Sequence, residues 1–150
     1  MSYIISNLFV GDIKDVNNSK FLSKNNIQSV LNVSFENYKS PYAKYYKKIS
    51  MSDSNDEKIW PNLKKALEFL DEQTKKKRNV IVHCSVGMSR SVSIVIGYLI
   101  LNGIPYESAL KLLKTRRPIS NPNPSFKKQL KELSEKTFQK VKPIKKLKIL

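Results

Sequence analysis

A chain of 150 residues, 40% of them apolar, can build one packed core and is too apolar to be a disordered polymer. Its formal charge of +16 favours anionic partners such as phosphorylated protein, nucleic acid or acidic membrane, although a coding bias toward lysine and asparagine gives the same excess with no partner at all. No stretch reaches the apolar length of a membrane span. The opening MSYIIS has neither the basic-then-apolar order of a secretion signal nor a glycine for myristoylation, so a soluble protein of the cytoplasm, and also of the nucleus, is expected.

In chain order, short β-type runs cover residues 3–6 and 8–11, and a helix is expected over 19–24. A strand follows at 30–33. Residues 35–43, with Pro41, read as a loop, and a further strand spans 45–49. Ile59, Leu63, Ala66, Leu67 and Leu70 recur at helical spacing, so a helix is expected over 59–76, with Pro61 in its first turn. The continuous β-branched run Asn79-Val80-Ile81-Val82 suits a central strand buried on both faces. Residues 92–101 are apolar nearly all round, which marks a buried helix ended by Asn102-Gly103. Another helix opens at Pro105, runs through Lys114 and stops before Pro118. A last amphipathic helix begins near Pro124 and carries Phe126, Leu130 and Leu133. Strands alternating with helices give a single α/β domain with a central, mostly parallel sheet flanked by helices.

The one cysteine, Cys84, and the one histidine, His83, are adjacent at the end of that central strand. A lone cysteine forms no internal disulfide and suits a reducing compartment; one histidine and one cysteine cannot make a four-ligand zinc site. The segment His83-Cys84-Ser85-Val86-Gly87-Met88-Ser89-Arg90-Ser91 joins the strand to the buried helix. A loop that leaves a strand and enters a helix aims several backbone N–H groups at one point, where the helix N-terminus adds positive charge. Gly87 permits the bend, and Arg90 can grip two phosphate oxygens in a fork that lysine cannot reproduce. The same field favours an anionic, nucleophilic sulfur at Cys84. The bland alternative makes Cys84 a small buried apolar residue.

The string HCSVGMSRS, a cysteine and an arginine with five residues between them, preceded by a histidine and followed by a serine, resembles the signature of the cysteine-based protein tyrosine phosphatases, and in particular their dual-specificity branch. The similarity extends to Leu31-Asn32-Val33-Ser34, to Gly97-Tyr98-Leu99-Ile100 inside the buried helix, and to Arg117-Pro118-Ile119 through Pro122-Asn123, Phe126 and Gln129-Leu130. It covers about residues 8–133. This resemblance implies a metal-free, cofactor-free phosphatase in which Cys84 attacks phosphorus to form a cysteinyl-phosphate that water then hydrolyses. It also implies a general acid, an aspartate upstream of the cysteine, for which Asp53 fits; Asp56 and Glu57 are rivals, readable instead as charges complementing the start of a helix. Ser91 would assist release of the sulfur, or satisfy donors at the helix start. Ser85, Val86, Gly87, Met88 and Ser89 would bind phosphate, or a sulfate in its place, through their amides. His83 would orient the loop, and Asn123 would brace it or cap the helix at Pro124.

Two departures stand out. Val86 and Ser125 replace a common alanine and a common glycine, and Val86 enlarges the pocket rim. The long tyrosine-recognition segment of the larger tyrosine-specific enzymes is missing, which implies a shallow pocket open to phosphotyrosine, phosphoserine and phosphothreonine on protein substrates. The loop lacks the lysines of phosphoinositide-directed relatives. Two other functions compete: an RNA 5′-phosphatase of the same chemistry, motivated by the charge but lacking aromatics interleaved with the basic run, and a phosphate-binding module without turnover. The catalytic domain is expected over 1–138, followed by a basic tail, 139–150, that is either solvated or docks on an anionic membrane.

Overall fold

Strands of four to six residues build a five-stranded sheet in the computed structural model, which describes residues 1–37 and 40–139. Strands β1 (Ser2–Ile5) and β2 (Leu8–Gly11) form a hairpin turning at Ser6, whose φ is +52°. With β3 (Ile27–Asn32), β4 (Tyr45–Lys48) and β5 (Asn79–His83), the sheet order is β1-β2-β5-β3-β4. Only the β1–β2 pair is antiparallel, so the sheet is mostly parallel, as the alternation of elements requires.

The period of two divides each strand between two cores. Leu8, Val10, Leu31, Val80 and Val82 join the larger core, with α3 (Ile59–Lys75), α4 (Arg90–Leu101), α5 (Tyr106–Arg116) and α6 (Pro124–Gln139). Phe9, Val30 and Ile81 face the other way, toward Val16 of α1 (Ile13–Val16) and Leu22 of α2 (Ser19–Lys24). Helix α4 is buried from Ser91 through Ile100, as its apolar circumference demands.

Several boundaries differ from the sequence expectation, each for a local reason. Strand β3 begins at Ile27, because Ser29 is buried as a hydrogen-bond donor to Gln73 of α3 (2.6 Å) and so reads as polar while facing the core. Helix α1 is too short to show a helical period. A capping box makes it: Asp12 accepts from Asp15 N and Asp15 from Asp12 N. Helix α4 starts at Arg90 rather than Val92, and α5 runs to Arg116, past Lys114. The basic stretch 140–150 lies outside the described residues.

The parallel register aligns the strand ends: Gly11 and Asn32 both pair with His83, and Asn32 also pairs with Lys48. The chain leaving β2, β3, β4 and β5 therefore emerges along one edge, the edge at which α/β sheets bind ligands. On the opposite side of β5, α4 packs closely on α3 at Gly97, where a β-carbon would lie 2.8 Å from Leu63 Cδ2. Gly97→Val is expected to cost about 1–3 kcal/mol by overpacking, a fall in Tm of roughly 3–10 °C measured by calorimetry. An unchanged Tm would show that the α3–α4 contact is slack.

Candidate active site

The loop from Cys84 to Ser89 connects β5 to α4, and its carbonyls are fastened from outside. Ser85 O accepts from Ile13 N (3.3 Å), Val86 O from Arg117 Nη2 (3.3 Å), Gly87 O from Arg117 Nε (2.7 Å) and Met88 O from Asn121 N (2.9 Å). In a trans peptide the C=O and the following N–H point to opposite sides. Anchoring four successive carbonyls outward thus turns the amides of Val86, Gly87, Met88 and Ser89 inward, toward one centre. The sulfur of Cys84 lies there, 2% exposed as a residue, with Gly87 N–H donating to it at 3.3 Å and Ser91 Oγ 3.2 Å away. Amide dipoles and the α4 N-terminus act on the sulfur together.

Gly87 is required twice over. Its φ is +75°, and a β-carbon there would stand 2.5 Å from both Gly11 O and Arg117 Nη2. Arg117 was visible in the sequence only as part of the Arg-Pro segment; its place in the site was not. It is 7% exposed, its third group, Nη1, donates to Ser2 Oγ at 3.1 Å, and it is the residue that shapes the loop. The buried carboxylate of Asp15 feels this charge. Burial pushes the Asp15 acid upward, but the hydrogen bond from Asp12, the Met1 ammonium 2.9 Å away and Arg117 outweigh it and hold the group below the ordinary carboxylate range. A buried arginine marked only by a following proline carries no periodic signal.

Arg90, the first residue of α4, is held by two partners: Nη1 donates to Met51 O (3.2 Å) and Nη2 to Ser85 Oγ (3.2 Å). It thus ties the phosphate loop to the segment leaving β4. The Ser85 side chain has a role beyond its amide, since its hydroxyl also donates to Glu36 Oε1 at 3.4 Å. Of the three acidic residues in the segment after β4, the structure brings Asp53 to the loop. Its Oδ1 accepts from Ser89 Oγ (2.6 Å) and from Asn123 Nδ2 (2.9 Å). Glu57 is used elsewhere, accepting from Ser52 N at 2.7 Å, and Asp56 is exposed. Ser89 occupies the N-cap of α4 yet makes no capping bond with its hydroxyl, which goes to Asp53 instead and accepts from Asn123 N (3.0 Å). Asn123 reaches three partners: its backbone N–H donates to Ser89 Oγ, its Nδ2 donates to Asp53 Oδ1, and its Oδ1 accepts from Phe126 N (2.8 Å) at the start of α6.

His83 is fully buried, with Nδ1 3.3 Å from the Cys84 carbonyl oxygen. Burial lowers its pKa from 6.5 to about 4, so the ring is neutral at physiological pH. The unfolded chain takes up this proton near pH 6.5 and the folded chain only near pH 4. Stability due to this group is therefore complete above pH 6.5 and falls by up to about 3 kcal/mol as the pH drops through that window. Urea unfolding from pH 7 to 4.5 should show a steeper loss for the unmodified chain than for His83→Gln; parallel slopes would mean that the ring titrates alike in both states.

Comparison with known proteins agrees with this geometry. Residues 8–136 match the family model described as dual specificity phosphatase, catalytic domain. The chain is 35% identical over 142 residues to dual specificity protein phosphatase 1B of Arabidopsis thaliana, covering 93% of this chain and 84% of that protein. It is 31% identical to dual specificity protein phosphatase 15 of Mus musculus, covering 95% of this chain but 61% of that protein. The crystal structure of human DUSP28 superposes with a TM-score of 0.86 over 93% of this chain and 99% of that one at 21% identity, a likeness of fold. The chain belongs to the dual-specificity protein phosphatases of the cysteine-based protein tyrosine phosphatase superfamily.

Proposed function

We propose that the chain hydrolyses phosphotyrosine and phosphoserine or phosphothreonine in proteins in two steps at Cys84. The loop amides and the remaining donors of Arg90 bind the phosphoryl oxygens. The Cys84 sulfur attacks phosphorus, the ester P–O bond breaks, and Asp53 gives its proton to the departing oxygen. A water molecule then attacks the cysteinyl-phosphate and loses its proton to the Asp53 carboxylate. The S–P bond breaks, and the Ser91 hydroxyl stabilises the departing thiolate.

The observation that carries this proposal is the sulfur held between Gly87 N–H and the Ser91 hydroxyl, at the centre of a loop whose carbonyls are all drawn away from it. The assignment of the acid is supported by the two hydrogen bonds that Asp53 Oδ1 accepts. With that oxygen occupied, the transferable proton belongs on Oδ2.

Asp53→Ala should lower kcat for a phosphotyrosine peptide by about a hundredfold or more, the worth of a positioned general acid. It should matter far less for p-nitrophenyl phosphate, whose leaving oxygen hardly needs a proton. Asp56→Ala should leave both within a factor of two. If Asp56→Ala instead gave the leaving-group-dependent loss, the acid would be misassigned. Cys84→Ser should bind phosphopeptide without turnover; residual turnover at the unmodified rate would exclude the cysteine as nucleophile.

A further inference from the structure

Four of the eight exposed large apolar side chains among the described residues lie on the segments around the phosphate loop: Phe35 (60% exposed), Val86 (58%), Ile119 (51%) and Met88 (37%). Scattered apolar side chains on a surface need no explanation, but a group gathered at one opening does. Val86 and Met88 flank Gly87 within the loop itself. The segment that carries Ile119 is joined to the loop by Asn121 N donating to Met88 O, and Phe35 precedes Glu36, which accepts from Ser85 Oγ.

The backbone that displays these side chains is pinned. Asn32 Nδ2 donates to Glu36 O (3.0 Å), Glu36 N to Ser34 Oγ (3.1 Å) and Lys48 Nζ to Phe35 O (3.3 Å). Beside Ile119, Ser120 N donates to Arg117 O (2.9 Å) and Ser120 Oγ to Leu113 O (3.3 Å). Apolar side chains fixed in water by such bonds are poised to bury area against something that arrives, with little ordering cost. On the phosphatase reading the arrival is the polypeptide bearing the phosphoryl group, since Val86 and Met88 belong to the loop that surrounds Cys84.

The charge at this opening differs from that of the chain as a whole. The net charge of +16 would favour acidic sequences or RNA, yet among the described residues the carboxylates of Glu36 and Asp53 stand at the loop and offset the charges of Arg90 and Lys48. We propose that Phe35, Val86, Met88 and Ile119 form an apolar collar that selects protein substrates whose phosphoresidue is flanked by large apolar side chains, with Glu36 set against an acidic neighbour. This collar rests on the phosphoprotein reading given above and names its substrate class.

The test uses three phosphotyrosine peptides of one host sequence carrying leucine, serine or glutamate on both sides of the phosphoresidue. For the unmodified chain kcat/KM should fall in that order, leucine exceeding serine by about five- to tenfold for partial burial of the flanking side chains. In the double variant Phe35→Ser/Ile119→Ser the leucine-to-serine ratio should fall below about twofold; a ratio compared within one protein does not depend on how much of the variant is active. Equal rates for the three peptides, a preference for glutamate, or a ratio that survives in the double variant would each overturn the collar. Dissociation constants of Cys84→Ser for the same peptides separate this from the chemistry. Binding in the predicted order without turnover by the unmodified chain would leave the collar standing and remove the phosphatase reading. Turnover without preference would do the reverse. Tighter binding of a 5′-triphosphorylated RNA than of any peptide would remove the collar, since charge would then decide recognition.

Discussion

The site depends on the direction in which four carbonyls point. A peptide loop has no intrinsic reason to turn all its amides inward, where their dipoles repel one another. In this protein the cost is met by partners outside the loop: α1 at Ser85, Arg117 at Val86 and Gly87, and Asn121 at Met88. The guanidinium of Arg117 holds two of the four, and its burial is tolerated because it is hydrogen-bonded on three sides and electrostatically opposed by Asp15. The inward turn of the amides is thus enforced by a cation that grips the loop by its carbonyls. Gly87 and Gly11 let that arrangement close, since a β-carbon on either would strike the neighbour.

The acid segment is built into the same frame. Ser89 withholds its hydroxyl from the α4 N-terminus and spends it on Asp53, which leaves the first amides of that helix to an anion. Asn123 fixes the other side of Asp53 while capping α6, and Arg90 reaches back to Met51 in the segment that carries the acid. Movement of the acid segment would therefore strain the phosphate loop, α4 and α6 together. Cys84 Sγ is held by Gly87 N–H and the Ser91 hydroxyl, and Asp53 by Ser89 and Asn123, with Ser89 and Ser91 two residues apart at the start of α4.

The strand–loop–helix at Cys84 was legible because it combines an apolar run of period-free burial, a glycine and an apolar helix, each a strong local signal, and the family resemblance named the same residues. Asp53 could be singled out among its rivals by resemblance, while the reason for the choice, the Ser89 and Asn123 contacts, spans 36 and 70 residues of sequence and leaves no local trace. Arg117, Glu36 and the side chain of Ser85 went unassigned for the same reason. Ser29 and the four-residue α1 escaped because buried polar groups and single helical turns carry no hydrophobic period. The net charge, the most conspicuous number in the sequence, says little about the opening, because the carboxylates of Glu36 and Asp53 stand there beside Arg90 and Lys48.

The proposed mechanism makes the Cys84 sulfur itself the phosphoryl acceptor. Rapid acid quench of the Ser91→Ala variant during turnover, followed by mass spectrometry of the Cys84 peptide, addresses that directly. Ser91 Oγ lies 3.2 Å from the sulfur and would ease its departure, so its loss should let the intermediate accumulate. A Cys84 peptide heavier by one phosphoryl group, formed in step with release of the first product, is the expected result. Turnover at an undiminished rate with the Cys84 peptide never phosphorylated would contradict the account.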